Sequence, residues 1–137
     1  KFKKSDDIEE EIVEELRRPA HIIAIEDLKG LKSKELWQNG KEKQYHTELT
    51  RVMRQYVEDR YEVQALEMTT SQLKRSMSEK GIGASIISRF TDILQIADKV
   101  KFAKGVTGPE INEKFMGDAF EIVNETKQRA VEIEKGE

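Results

Sequence analysis

The chain has 137 residues, 36% of them hydrophobic and 37% charged, with a net charge of −3 and a pI near 5.6, a length that supports one ordinary domain around one core. An acidic balance argues against a protein that holds nucleic acid by its phosphates, since such chains carry a basic excess or stripe. The lack of cysteine excludes disulfides, thiol catalysis and thiolate metal sites, and no apolar run reaches the roughly 18 residues needed to span a bilayer.

Glycine and proline are few, 8 and 2. Elements are therefore long, and no β-hairpin signal or internal repeat appears. An all-α fold follows, a compact bundle of five or six helices. The start at Lys1 without a methionine is read as that of a fragment or a processed chain. Lys1-Phe2-Lys3-Lys4 is the kind of basic cluster that lies just cytoplasmic of a transmembrane helix, although an ordinary linker gives the same four residues. Residues 5–16 are acidic, with Ile8, Ile12, Val13 and Leu16 at helical spacing and Ser5 or Asp6 as cap. Residues 1–18 are thus read as a juxtamembrane basic cluster with an acidic leader helix, and 19–137 as a single helical domain.

Pro19 opens the next helix, a position where proline is tolerated. Ile22, Ile23, Ile25, Leu28 and Leu31 form its apolar side, and Gly30 with the Lys29–Lys34 region ends it. Leu36-Trp37-Gln38-Asn39-Gly40 reads as a turn, because Asn-Gly is a strong turn dipeptide. Trp37 is expected to pack over that turn. A helix over Lys41–Tyr61 follows, with Tyr45, Leu49, Val52, Met53, Tyr56, Val57 and Tyr61 on one stripe of helical period. The connector Val63, Ala65, Leu66, Met68 is apolar enough to pack down. Thr69 and Gln72 have capping-box spacing and open a helix with Leu73 and Met77 inward, stopped by Gly81. Gly83 or Ser85 begins a further helix whose stripe is Ile86, Ile87, Phe90, Ile93, Leu94, Ala97 and Val100, ended by Gly105. Thr107 and Glu110 again have capping-box spacing. The last helix, lined by Ile111, Phe115, Ala119, Ile122, Val123 and Ala130, has the pattern to extend as far as Lys135, with its last two turns charged and prone to fray. The helices over 41–61, 83–104 and 107–135 are expected to form the core.

Candidate sites are sparse. His46 has Glu42 four residues before it, a spacing two metal ligands use, but Lys41 and Lys43 oppose a cation and no further ligand presents itself. The plainer reading is a surface histidine bonded to Glu42 across one turn. His21 has no ligand partner at helical spacing and is read as structural or on the surface. No nucleophile elbow, phosphate loop or dinucleotide fingerprint occurs. No catalytic residue, metal or cofactor is assigned. Lys99, Lys101 and Lys104, with Phe102 among them, form a small patch fit for nucleic acid or phospholipid, or else simply lysines favoured near a helix C-terminus. Arg51 and Arg54 beside Tyr56 are positioned for an acidic partner, or pair with Glu48, Glu58 or Asp59 on their own helix. Arg51, Arg54, Lys99, Lys101 and Lys104 are therefore the candidate partner-binding residues.

Several segments carry a resemblance: Arg18-Pro19-Ala20-His21, Leu36-Trp37, Gly40, Lys43-Gln44-Tyr45-His46, Arg54-Gln55-Tyr56-Val57-Glu58, Ala65-Leu66-Glu67-Met68-Thr69-Thr70 and Ala97-Asp98-Lys99-Val100-Lys101-Phe102-Ala103-Lys104. Together they resemble the cytoplasmic helical domain of bacterial membrane proteins of the Bat (aerotolerance) operon type. The likeness covers roughly residues 18 to 104. His46 stands where that pattern has a second tyrosine, and Gly81-Ile82-Gly83 loosens a stretch that is helix-forming there. The genes of that type accompany a MoxR-type ATPase and von Willebrand factor A domain proteins. The resemblance implies a non-enzymatic protein-interaction domain on the cytoplasmic face of the inner membrane, tethered by a segment upstream of Lys1, with such proteins as partners and no nucleic acid. The other readings are a helical nucleic-acid-binding regulator, which needs a basic helix face, and a carboxylate-dependent hydrolase, which needs a pocket holding two acids of separated pKa.

Overall fold

A computed structural model describes residues 18–103 and 106–128. The basic cluster at 1–4, the acidic leader, Lys104, the Gly105 cap and Ala130 lie outside the described residues. Among the described residues the chain is all α, with five helices and no strand: α1 (Ala20–Ser33), α2 (Glu42–Tyr61), α3 (Thr70–Glu79), α4 (Ala84–Ala103) and α5 (Pro109–Thr126). Short 3₁₀ turns at Trp37–Asn39 and Ala65–Glu67 link α1 to α2 and α2 to α3.

α1 begins where Pro19 turns its carbonyl to the amides of Ile22 and Ile23, at 3.0 and 3.2 Å. It buries Ala24, Leu28 and Leu31, a narrower stripe than the isoleucines implied, and leaves Ile22 exposed. The helix also runs through Gly30 to Ser33, so that glycine is interior and not a stop. Glu35 and Gly40 take positive φ, 49° and 77°, which closes the turn that Asn39-Gly40 announced. Trp37 is half-buried against the core beside it.

α2 is the central element and packs on α1, α4 and α5. Its predicted stripe is the observed one: Tyr45, Leu49, Met53, Tyr56 and Val57 are buried, with Val52 and Tyr61 partly so. Past Glu62, at φ 56°, Ala65 is buried while Leu66 is exposed. The Thr69–Gln72 capping box forms with both of its bonds, 3.1 Å and 2.9 Å, as the spacing predicts. α3 buries Leu73 and Met77, and Gly81, at φ 82°, follows its end. α4 contributes Ile87, Phe90, Ile93, Leu94 and Val100 to the buried residues.

The start of α5 departs from expectation. Its N-cap is Gly108, with no side-chain bond, and Pro109 is the first helical residue. Thr107 is spent elsewhere, as described below. Ile111 is exposed and Asn112 takes the buried place next to it. The helix ends at Thr126, where Lys127 turns extended (φ −62°, ψ 147°), rather than reaching Lys135.

Two tyrosines set α2 against α5. The Tyr45 hydroxyl donates to the Asn112 carbonyl at 2.8 Å, and the Tyr56 hydroxyl lies 3.4 Å from the Val123 carbonyl and 2.8 Å from Thr126 Oγ1. Both carbonyl pairs are separated by 67 residues in the chain. Moving eleven residues, roughly 16 Å, along α2 therefore moves the same distance along α5. The two helices run parallel and in register, and both their N-termini lie at one end of the bundle. At the other end the Arg60 guanidinium donates to the Thr126 carbonyl at 2.9 Å, satisfying an orphan acceptor at the negative pole of α5. Arg89 ties α4 to α5 through Glu121 and Glu125, at 3.1 and 2.7 Å.

Candidate functional site

The two histidines of the sequence have different fates. His46 is not on the surface. It is 1% exposed, edge-on to Tyr45, and its Nε2 faces Asn112 Oδ1 at 3.0 Å and Thr107 Oγ1 at 3.1 Å. Glu42, its expected partner, instead accepts from the Thr107 amide at 2.7 Å and the Thr107 hydroxyl at 2.8 Å. The carboxylate thereby ties the loop before α5 to the first turn of α2. His21 is half-buried at the start of α1. Among the described residues no group of three or more His, Asp or Glu gathers in metal-binding arrangement.

Counting protons in this cluster decides an amide orientation. Thr107 has one hydroxyl proton, but its oxygen lies 2.8 Å from Glu42 Oε2 and 2.5 Å from Asn112 Oδ1. The charged acceptor takes it. That leaves two bare oxygens at 2.5 Å, and leaves both protons of the buried Asn112 Nδ2 without an acceptor. Oxygen and nitrogen of an amide are exchangeable in such assignments. With the Asn112 amide turned over, Nδ2 donates to Thr107 and to His46 Nε2, and neutral His46 carries its proton on Nδ1. One buried N–H is then unpartnered instead of two.

Burial holds His46 below the usual imidazole range, against the opposing pull of the Glu42 charge. Burial also lowers His21, by the same cause first. A histidine lowered in the folded state binds its proton first when unfolded. Stability is therefore flat above about pH 6.5 and falls as the pH drops below it toward the folded-state value, by at most about 1.4 kcal/mol per pH unit for each histidine. A two-dimensional proton–carbon titration of the imidazole C–H signals checks this. Both should titrate below the peptide value. A His46 signal titrating at or above it would contradict the buried, neutral assignment.

The five residues singled out for partner binding are not one surface. Arg51 is exposed on α2. Arg54 is half-buried, and its Nη1 donates to the carbonyls of Ala65 and Met68 at 3.0 and 2.6 Å. Its guanidinium thus fastens the connector after α2 onto the helix. The carboxylates expected to pair with these arginines are bonded elsewhere: Glu48 to Lys34 and Gln44, Asp59 to Gln55, and Glu58 to the Leu66 amide. Lys99 and Lys101 are exposed in the last turns of α4, with the Lys101 ammonium 5.2 Å from the centre of the Phe102 ring. Lys104 lies outside the described residues.

One concavity of the described residues was not visible in the sequence. A cleft of about 420 Å³ opens between the α1–α2 turn and α5, within the size range of ordinary ligand and anchor pockets. Leu31, Leu36 and Trp37 form one wall, Met116 and Phe120 the other, and Tyr45 lies at the back. Lys32, Gln38 and Glu113 bring polar groups to the lining. Gly117, in the middle of α5, also lines it. A Cβ placed there would meet nothing within 4 Å, so packing among the described residues does not require glycine. A helix-interior glycine costs about 1 kcal/mol relative to alanine, and here it keeps the helix backbone bare at the cleft. Met116-Gly117 between Phe115 and Phe120 was the only local signal. No protein-family model, curated protein or solved structure matches the chain.

Proposed function

We propose that the chain is a non-enzymatic protein-interaction domain whose partner anchors an apolar side chain in the Trp37 cleft. The observation that carries this reading is the cleft itself: an aromatic and aliphatic pocket with a bare-backbone helix at Gly117. Interfaces concentrate their energy in such pockets, where one large side chain is desolvated among apolar walls. The polar groups of Lys32, Gln38 and Glu113 suit the rim that surrounds an anchor of this kind. No described helix is long and apolar enough to cross a membrane. The likeness of residues 18–104 to Bat-type cytoplasmic domains supports placing the domain at the inner membrane, with a MoxR-type ATPase or a von Willebrand factor A protein as the partner.

A photo-crosslinking residue at Gln38 in the native, full-length protein tests this in cells. Crosslinks to one of those two partner classes are expected, and Gly117→Leu should abolish them by filling the cleft. Gly117→Ala is the folding control and should raise stability by about 0.5–1 kcal/mol. No crosslink at Gln38, or crosslinks that Gly117→Leu leaves unchanged, would sink the proposal.

A further inference from the structure

The end of the bundle where α2 and α5 begin and α4 finishes has a composition unlike the rest of the chain. Phe102 and Val106 are 76% and 82% exposed, and Ile111, in the first turn of α5, is exposed as well. These are three of the five large apolar side chains exposed among the described residues. Phe102 and Val106 are four residues apart, so their Cα atoms lie within about 14 Å. Val106 precedes Thr107, which Glu42 holds through two hydrogen bonds. That tie places Lys41 and Lys43, both exposed, beside the apolar tip, which Lys99 and Lys101 flank from α4. Four exposed lysines therefore lie on the segments that meet near the tip, in a chain whose net charge is −3. Among the described residues the exposed acids at this end are Asp98, Glu110 and Glu113, with Glu35 in the link before α2, and Glu42 is committed to Thr107. The N-termini of α2 and α5 at this end, neither capped by a side chain, add partial positive charge.

We infer that this end is a peripheral contact for an anionic phospholipid surface, separate from the Trp37 cleft. An exposed aromatic and an exposed branched aliphatic residue with exposed lysines on the adjoining segments match the two demands of a bilayer interface, shallow apolar insertion and neutralisation of phosphate. The lysine stems cover apolar surface while their ammonium groups stay in the headgroup layer. The Lys101 ammonium over the Phe102 ring already has that arrangement. Phe102 and Val106 thereby touch the membrane, and the bundle stands on them.

The test is co-sedimentation of the 137-residue chain with extruded vesicles, one set of pure phosphatidylcholine and one of phosphatidylcholine mixed with phosphatidylglycerol. Partition onto the anionic vesicles alone, weakening with salt, is expected. Lys99→Glu with Lys101→Glu should lower the partition coefficient at least about 30-fold, at roughly fivefold for each lysine lost. Phe102→Ser with Val106→Ser should lower it as well, with an unchanged circular dichroism melt because both side chains are exposed. Val106→Trp should give a blue-shifted emission on anionic vesicles above the Trp37 background. The cluster Lys1-Phe2-Lys3-Lys4 can itself attract anionic lipid, so binding that both double variants leave intact overturns the inference. Absence of binding to anionic vesicles overturns it too, and leaves this end to an acidic protein surface. Crosslinking at Gln38 is read independently, so the lipid contact and the cleft partner stand or fall apart.

Discussion

Phe90→Ala is expected to cost about 3–5 kcal/mol of unfolding free energy. Phe90 is 1% exposed on α4 and belongs to the core cluster to which α1, α2, α3 and α5 also contribute. Removing the ring forfeits its transfer free energy and leaves a cavity that close-packed helices fill only in part. Domains of this size have a total stability of about 5–15 kcal/mol, so the variant should sit near its unfolding threshold. Phe102→Ala, on the same helix twelve residues on, should change stability by less than about 0.5 kcal/mol, since its ring is exposed. Urea titration followed by far-ultraviolet circular dichroism compares the two. Equal losses would mean that α4 is rotated about its axis relative to the arrangement described here.

Asn112→Ala is the other large effect, about 3 kcal/mol. It removes the side chain that bridges His46 and Thr107, leaving a buried imidazole nitrogen short of a partner. An orphaned buried polar group costs about 1–3 kcal/mol, and the vacated volume adds a cavity term. The loop before α5 loses one of its ties, while the Glu42–Thr107 bonds remain. The loss in the same urea assay should exceed that of Lys114→Ala, whose exposed pair with Asp118 lies on the same helix and is worth little. A loss for Asn112→Ala below about 1 kcal/mol would show that water or a rearranged His46 replaces the amide.

The histidine and asparagine show why part of the site was hidden. A buried polar residue has no local signature, because its warrant is a partner 61 to 66 residues away. Read locally, His46 has only Glu42 within one turn, so spacing alone points to that pair. The same limit affected Arg54. Spacing offered carboxylates on its own helix, whereas the structure offers two carbonyls of the connector, already bonded at 3.0 and 2.6 Å. Thr107 had the spacing of a capping residue but gained more from a charged acceptor across the bundle.

What the sequence determined by itself depends on neighbours within one or two turns. Helical period marked the buried stripes of α2 and α4. The Thr69–Gln72 spacing made its capping box, and the glycines at 40 and 81 marked the left-handed turns. The scarcity of breakers made the fold all α. Such features are legible because their energies are local: a rotamer, a capped amide, a permitted φ. The tertiary structure alone decided the parallel register of α2 and α5 at a constant offset of 67 residues. It also decided the burial of His46 with Asn112, the cleft at Gly117, and the tie from Glu42 to Thr107 that brings the start of α2 to Val106. Those depend on which faces meet, and periodicity specifies that a face is apolar without specifying its partner.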